Sequence, residues 1–471
     1  MELRPYQVEA IERVRSAIRA GHRRVCLVAP TGSGKTVIAA HIVDSAVARG
    51  GSVLFLAHRR ELVGQTCDKL GAIGVRHGVI MADDRRADPG APVQVASVQT
   101  LVRRTLPSAT VLIVDECHHT RAKTWASIVD AYPSTPLVGL TATPWRGDGK
   151  GLASAFDASV VVSTPAKLVE AGWLVPVDGF SYDAPRIDAR MRGGDFASDD
   201  LDTWADSAPA KIVLGHIVPR WQQTAGGLRT VAFAVNIRHS RSIVAAFTDA
   251  GVAAEHLDGS TPKGERDAIL SRLHSGETTV VGNCNVLTEG WDEPALGCIV
   301  MARPTASLGL YLQMVGRGRR PSPGKALIRL HDHAGNAMRH GDPDAPQDYD
   351  LTADLVRDAK RKGKPADRHA TCGKCFHVYP RTAEYCPSCA AENPSQIPLP
   401  EVREAREVAL RDAKQHRIET WAAGASTEER RAKFDAWSNQ AADRGYKAGW
   451  AAYRFKTTFG AWPPWSWRRA S

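Results

Sequence analysis

Short β-branched runs alternate with longer helix-like stretches through most of this chain, and that alternation admits few folded solutions. Residues 25–29, 53–58, 93–98, 111–115 and 137–140 read as strands, with helix-like stretches such as 37–48 between them. Strands separated by helices in this way predict a parallel sheet covered on both faces. The pattern lapses over 176–208, an acidic segment containing Asp and Gly with no sustained period, which reads as a linker or a peripheral insertion. It resumes with strand-like runs at 230–235, 253–258, 279–284, 299–303 and 326–331. Two α/β domains in tandem, 1–175 and 209–340, are the economical reading. With 471 residues, 43% of them hydrophobic, the chain has material for about three folding units.

No apolar run approaches the ~18 residues of a membrane span, and the opening Met1-Glu-Leu-Arg-Pro-Tyr-Gln7 lacks the apolar core of a signal peptide. A soluble cytoplasmic protein with no membrane partner is expected. The formal charge of +10 favours a polyanionic partner. Nine cysteines, an odd count, argue for a reducing compartment in which paired cysteines hold a metal.

The run 25–29 leads into Ala29-Pro-Thr-Gly-Ser-Gly-Lys-Thr36, and a helix-forming stretch follows at once. A phosphate-binding loop needs this context. Gly32 and Gly34, with Thr31 and Ser33 beside them, let backbone N–H groups approach phosphate. The helix N-terminus adds positive potential, Lys35 reaches the β and γ phosphates, and the Thr36 hydroxyl ligates Mg²⁺. Ala29 stands where the general G-x-x-x-x-G-K-[ST] pattern has its first glycine. Downstream, Val111-Leu-Ile-Val-Asp-Glu-Cys-His118 is an apolar strand ending in two acids, and a buried parallel strand delivers its carboxyl end to the ligand crevice. Asp115 would hold Mg²⁺ and Glu116 would orient and deprotonate the attacking water.

With these two elements the sequence resembles the superfamily 2 helicases and translocases of the DEAD/DEAH type. Further matching segments come in that family's order. They are Arg4-Pro-Tyr-Gln7, Ala57-His-Arg-Arg-Glu-Leu62, Ser97-Val-Gln-Thr100, Thr141-Ala-Thr-Pro144, Phe233-Ala-Val-Asn236, Leu287-Thr-Glu-Gly-Trp-Asp292 and Gln313-Met-Val-Gly-Arg-Gly-Arg-Arg320. The resemblance covers roughly residues 1 to 340 and implies two RecA-like domains closing on ATP and Mg²⁺. It implies that Gln7 reads the adenine edge, that Arg317 and Arg320 point across the cleft at the γ-phosphate, and that Gly290 and Asp292 sense nucleotide from the same side. His118, Thr141, Thr143 and Gln313 are the implied coupling residues. Nucleic acid would cross both domains, with Arg59, Arg60, Gln99 and Thr100 in the first and Asn236, Arg238, Thr288 and Glu289 in the second as contacts.

Three departures from the RNA-handling DEAD-box pattern lean towards DNA: Ala57-His-Arg-Arg-Glu-Leu62, Thr141-Ala-Thr143 and Gln313-Met-Val-Gly-Arg317. They resemble the bacterial and phage branch that includes restriction-enzyme motor subunits, UvsW-like helicases and RadD-type repair helicases. The implied activity is an ATP-dependent DNA helicase or translocase of repair, recombination or phage replication, acting on single-stranded or branched DNA. Single-strand-binding, repair or replication proteins are the class of protein partner. A duplex translocase that does not unwind and an RNA remodeller remain alternatives; a non-enzymatic binding module is disfavoured by the full motor set.

Past residue 340 the composition changes. Between 357 and 381 eight basic side chains face two acidic ones, and 341–370 reads as a basic linker. Cys372-x-x-Cys375 and Cys386-x-x-Cys389 have the spacing of a four-thiolate zinc ribbon, assigned to 371–392, with a redox pair as the alternative. Cys26, Cys67, Cys117, Cys284 and Cys298 read as plain buried thiols. His331 and His333 read as core or surface residues, not ligands. The stretch 393–471 reads as an aromatic-rich helical tail. Ser426 and Glu429 have capping-box spacing, and Gly445 suits a helix stop. Its Trp437, Trp450 and Tyr453 either form a small core or stack on unpaired bases.

Overall fold

A computed structural model describes residues 2–119, 123–146, 149–182, 187–345, 347, 349–352, 369–393, 426–443, 449–459 and 461–467. The first sheet is wholly parallel. Its strands are β1 (Arg24–Val28), β2 (Val53–Ala57), β3 (His77–Ile80), β4 (Val93–Ser97), β5 (Val111–Val114), β6 (Leu137–Thr141) and β7 (Ala158–Val161), in the spatial order β3-β4-β2-β5-β6-β1-β7. Val, Leu and Ile fill both faces because helices α1 (Pro5–Arg19), α2 (Lys35–Val47), α3 (Arg60–Ala72), α4 (Val98–Leu101) and α5 (Lys123–Val129) divide between the two sides. Side by side, β5, β6 and β1 bring the ends of three motifs together. Helix α6 (Pro165–Glu170), with Pro165 at its first position, starts the crossing to the second domain.

The segment 176–208, expected as a linker or insertion, is built into the second domain. Its β8 (Val177–Ser181) pairs in parallel with the last strand of the second sheet, and a hairpin of β9 (Met191–Arg192) and β10 (Asp195–Phe196) follows, then α7 (Ser198–Asp206). The strand went unread because it lies at a sheet edge, where Val-Asp-Gly-Phe-Ser has only Phe180 and Ser181 buried and so shows neither an apolar run nor a clean alternation. The rest of this sheet comprises β11 (Thr230–Phe233), β12 (Ala254–Leu257), β13 (Val280–Asn283), β14 (Cys298–Met301) and β15 (Ile328–Asp332), in the order β12-β13-β11-β14-β15-β8. Helices α8 (Ala208–Ala225), α9 (Ile237–Asp249), α10 (Lys263–Ser275), α11 (Leu308–Gly316) and α12 (Asn336–His340) accompany it. Capping chemistry sets the starts: Asn236 and Ser307 accept from His239 N and Leu310 N at the heads of α9 and α11.

The ribbon strands β16 (His369–Thr371) and β17 (Val378–Pro380) are antiparallel and dock on the β8 edge, where Phe180 bridges His377 and Ser181 N donates to Phe376 O at 3.0 Å. In the tail, α13 (Thr427–Asp443) and α14 (Gly449–Phe459) pack on Phe434, Trp437 and Phe455, with Trp450 partly buried among them. Tyr453, expected in that core, is 47% exposed because it lies on the opposite side of α14 from Phe455. The basic residues 357–368 and Gly445 lie outside the described residues. Among the described residues no helix is long and apolar enough to cross a membrane.

Candidate active site

The loop after β1 turns through left-handed backbone at Gly32 (φ +88°) and Gly34 (φ +86°), a region that L side chains enter at a cost. Gly34 caps α2, so the helix N-terminus points into the loop. A latch holds it from behind: Tyr6 Oη and Gln7 Nε2 both donate to Ser33 O, at 2.7 and 3.0 Å. Gln7 Oε1 also accepts from Arg4 N, which leaves its amide one N–H and one lone pair for the adenine contact expected of it.

Asp115 and Glu116 emerge at the end of β5, both 4% exposed. Burial, reinforced by the adjacent Glu116 carboxylate, raises the Asp115 carboxyl above the ordinary range. Lys35 Nζ stands 3.9 Å from the Glu116 carboxylate. Glu116 itself has φ +47°, a strained conformation of the kind that collects at functional sites. His118 Nδ1 lies 3.5 Å from Glu116 and 3.3 Å from Thr141 Oγ1, and Thr141 Oγ1 donates to Thr143 O. The expected coupling residues of the first domain therefore form one chain running from Glu116 across β6.

The second domain faces this site through α11 and the turn after it. Arg317 donates to Trp291 O at 2.7 Å, Arg320 pairs with Asp292, and Gln313 is buried. Burial, then the charge of Arg4, lowers Arg320 to about 10, which still leaves it cationic at neutral pH. Contact between the domains is close. A Cβ on Gly316 would lie 2.3 Å from Thr31 Cβ, and one on Gly290 would lie 2.8 Å from Glu61 Cβ. Three buried polar atoms here lack hydrogen-bond partners, Thr31 Oγ1, Glu116 Oε2 and Arg317 Nε, and they come from both sides of the cleft. A donor, an acceptor and a hydroxyl left unmade around a left-handed glycine loop fit a nucleoside triphosphate with its divalent metal.

The residues expected to touch nucleic acid separate into two groups. Arg59 Nε lies 3.1 Å from Glu289, beside His58 Nε2 at 2.9 Å, so these two side chains stitch the domains together, while Gln99 Nε2 donates to His58 O within the first domain. Against the cost of burial, the His58 hydrogen bond and Arg59 hold Glu289 down at about 2. Arg60 donates to Ala82 O, and Thr100 Oγ1 accepts from Ala82 N. In the second domain Asn236 donates to Asp202 and Arg238 to Asp206, both on α7, while Thr288 is buried. That α7 supplies these acids was not legible, because its segment read as a linker.

The ribbon thiols of Cys372, Cys375, Cys386 and Cys389 have their ligand atoms within 4.8 Å of one another. Sulfur pairs at 3.5 Å are too far apart for a disulfide and close to the ~3.8 Å spacing of four thiolates at ~2.3 Å around a tetrahedral Zn²⁺. Each knuckle closes alike, Phe376 N donating to Cys372 O and Ala390 N to Cys386 O, with Phe376 and Ala390 in left-handed backbone. The donor set is complete without a further ligand, which fits a structural zinc. The other cysteines are buried thiols, only Cys284 partly so. His331 bonds Tyr182 Oη and Thr224 Oγ1, and His333 is buried beside it.

Two parallel sheets meeting at a phosphate loop, with acids from one domain and arginines from the other, define a two-domain motor driven by nucleoside triphosphate. Residues 1–146 match the family described as type III restriction enzyme, res subunit, and residues 212–322 match the helicase conserved C-terminal domain. A 51.5 kDa protein of a Lactococcus phage is 32% identical over 367 residues, 76% of either chain. IRC3 of Saccharomyces cerevisiae, whose name reads "putative ATP-dependent helicase", is 31% identical over 71% of this chain, which spans 51% of that protein's length. A solved structure of the ATP-dependent type ISP restriction-modification enzyme LlaBIII bound to DNA shares the fold with a TM-score of 0.54 at 18% identity, over 70% of this chain and 27% of that one. The chain belongs to the superfamily 2 helicases, with two RecA-like domains, and is an ATP-hydrolysing nucleic-acid helicase or translocase.

Proposed function

We propose that the track of this motor is DNA and that the cleft described above is its catalytic centre. The observation that carries the reading is that Thr31 and Glu116 of one domain and Arg317 of the other each bury a polar atom without a hydrogen bond where the domains face each other, Gly316 against Thr31 and Arg317 within the field of Glu116. Lys35 holds the β and γ phosphates, Thr36 and Asp115 hold the metal, and Glu116, fixed in its strained turn, orients the attacking water and takes its proton. Bound Mg²⁺ supplies charge neutralisation on the phosphates. Arg317 and Arg320 complete the site only when the domains are closed, a contribution worth ~10³ to 10⁵ in rate in related NTPases. Glu116, His118, Thr141 and Thr143 carry the state of the cleft to the carboxyl ends of the strands, where the strand is held.

DNA rather than RNA is supported by the segments 57–62, 141–143 and 313–317, and by a structural relative whose solved form is bound to DNA. The four thiolates hold a structural Zn²⁺ that folds the ribbon against β8. Purified Lys35→Ala and Glu116→Gln variants test the assignment: both lose ATP turnover while DNA binding survives. Unchanged hydrolysis in either would remove these residues from the catalytic centre.

A further inference from the structure

Residues leaving the second domain do not run straight to the ribbon. After α12, Tyr311 Oη donates to Gly341 O at 3.1 Å, and Asp344 then pairs with Arg319, which is 4% exposed. Arg319 sits between Arg317 and Arg320 in the turn that faces the nucleotide cleft, and its backbone carbonyl accepts from Val175 N at 2.8 Å. Asp344 is therefore attached to the arginine turn itself. Tyr349 and Leu351 lie against the first domain. Tyr349 stacks on Trp145 with ring centroids 5.9 Å apart and planes 14° from parallel. Leu351 is 8% exposed in the core that holds Cys117, Trp125, Leu152 and Phe156, and its carbonyl accepts from Ala153 N at 3.0 Å.

Both anchor points in the first domain are next to coupling residues. Trp145, 3% exposed, follows Thr141-Ala-Thr-Pro144 directly, and Cys117 stands between Glu116 and His118. Asp344 at the arginine turn of one domain and Tyr349 and Leu351 at the floor of the catalytic strands of the other thus link the domains separately from the crossing that α6 starts. Tail helix α14 braces the end of α6, Arg454 donating to Glu170 O at 3.1 Å.

Resting on the catalytic reading above, we propose that Asp344, Tyr349 and Leu351 make a second link between the domains, in which Asp344 and Tyr349 are positioning residues that set where Arg317 and Arg320 stand when the cleft closes. Neither touches the nucleotide. Asp344 acts through Arg319, whose buried charge it neutralises, and Tyr349 acts through Trp145. Opening of the cleft must slide or release these contacts, so the link limits its amplitude and returns the arginines to one register on each cycle. Without it the domains still close on ATP through their own contacts, but with the arginines misplaced in a larger share of encounters.

The test is steady-state ATP hydrolysis by the full chain with saturating single-stranded DNA, for wild type, Tyr349→Ala, Tyr349→Phe and Asp344→Asn, alongside thermal melting of each. Tyr349→Ala and Asp344→Asn lower kcat about tenfold, as a small displacement of catalytic groups does, and change the KM for ATP less than about twofold. Tyr349→Phe restores the rate, because the stack needs the ring and not the hydroxyl. Labels on the two domains, read by distance distributions with and without a non-hydrolysable ATP analogue, show a broader nucleotide-free distribution in Tyr349→Ala. Wild-type kcat in Tyr349→Ala and Asp344→Asn would overturn the proposal, as would a rise in KM that accounts for the whole loss. If wild type shows no DNA-stimulated hydrolysis, the failure lies in the catalytic reading instead.

Discussion

Gly316→Ala isolates the closing of the two domains from the folding of either. An alanine Cβ there would sit 2.3 Å from Thr31 Cβ and 2.5 Å from its Cγ2, and the nearest atoms all belong to the phosphate loop of the other domain. Carbon atoms in contact keep about 3.5 to 4.0 Å, so the domains must part by about 1.2 Å or more at this point. Gly316 is the last residue of α11, where alanine is at least as good a helix former, and the three atoms nearest its Cβ all lie in the other domain. The substitution therefore keeps or raises the melting temperature while kcat/KM for ATP falls about 100-fold, the scale of a 1 Å misplacement, or ~2.7 kcal/mol of transition-state stabilisation. Phosphate release over a range of ATP concentrations at saturating DNA, with thermal melting in parallel, reads both quantities. Gly318→Ala is the contrast, since its Cβ would fall 1.5 Å from Ile328 Cδ1 inside the same domain and should cost about 1 to 3 kcal/mol of stability by overpacking. Near wild-type kcat/KM in Gly316→Ala would refute the interdomain closure.

Elemental analysis of the purified protein should find one zinc per chain, and a strong chelator or Cys386→Ser should release it and expose the Phe180 and Phe376 face to a hydrophobic dye. Retention of the ribbon fold after complete zinc loss would count against a structural metal. Stability should also fall in mild acid. Burial lowers His239 and His340 to about 4, below the 6.5 of a free imidazole, so the unfolded chain takes up their protons first. Their contribution is complete above pH 6.5 and is lost as pH drops towards 4, a loss on the order of 1 kcal/mol each at pH 5.5. Urea unfolding at pH 7.5 and 5.5 measures it, and an unchanged free energy would place both histidines outside the buried, neutral state.

The nucleotide side of the proposed site is the part for which chemistry dictates local spacing. A phosphate loop needs its glycines beside Lys35 and Thr36, and a metal-holding acid needs an apolar strand behind it, as residues 111–114 provide. What pairs across domains has no such spacing. Nothing local to Gly316 announces Thr31 as its neighbour, and nothing in Glu289 points to His58. The linker reading of 176–208 failed because β8 is an edge strand whose partners, β15 and the ribbon, lie far away in sequence. The same segment hides α7, whose Asp202 and Asp206 engage Asn236 and Arg238. Four cysteines at knuckle spacing announced the ribbon, but not the β8 edge on which it docks. The contacts of Tyr349 and Leu351 were equally silent, since these are single apolar residues in a polar stretch and gain their meaning from Trp145 and the core around Cys117.

Steady-state ATP hydrolysis by the purified chain decides most directly whether this is a DNA motor. It should be measured without nucleic acid, then with single-stranded, duplex and forked DNA and with RNA, at one fixed salt concentration because phosphate contacts are salt-dependent. Strong stimulation by DNA and little by RNA is the expected result, and the most effective form of DNA identifies the structure on which the motor moves. Stimulation by RNA alone, or by neither, would contradict it.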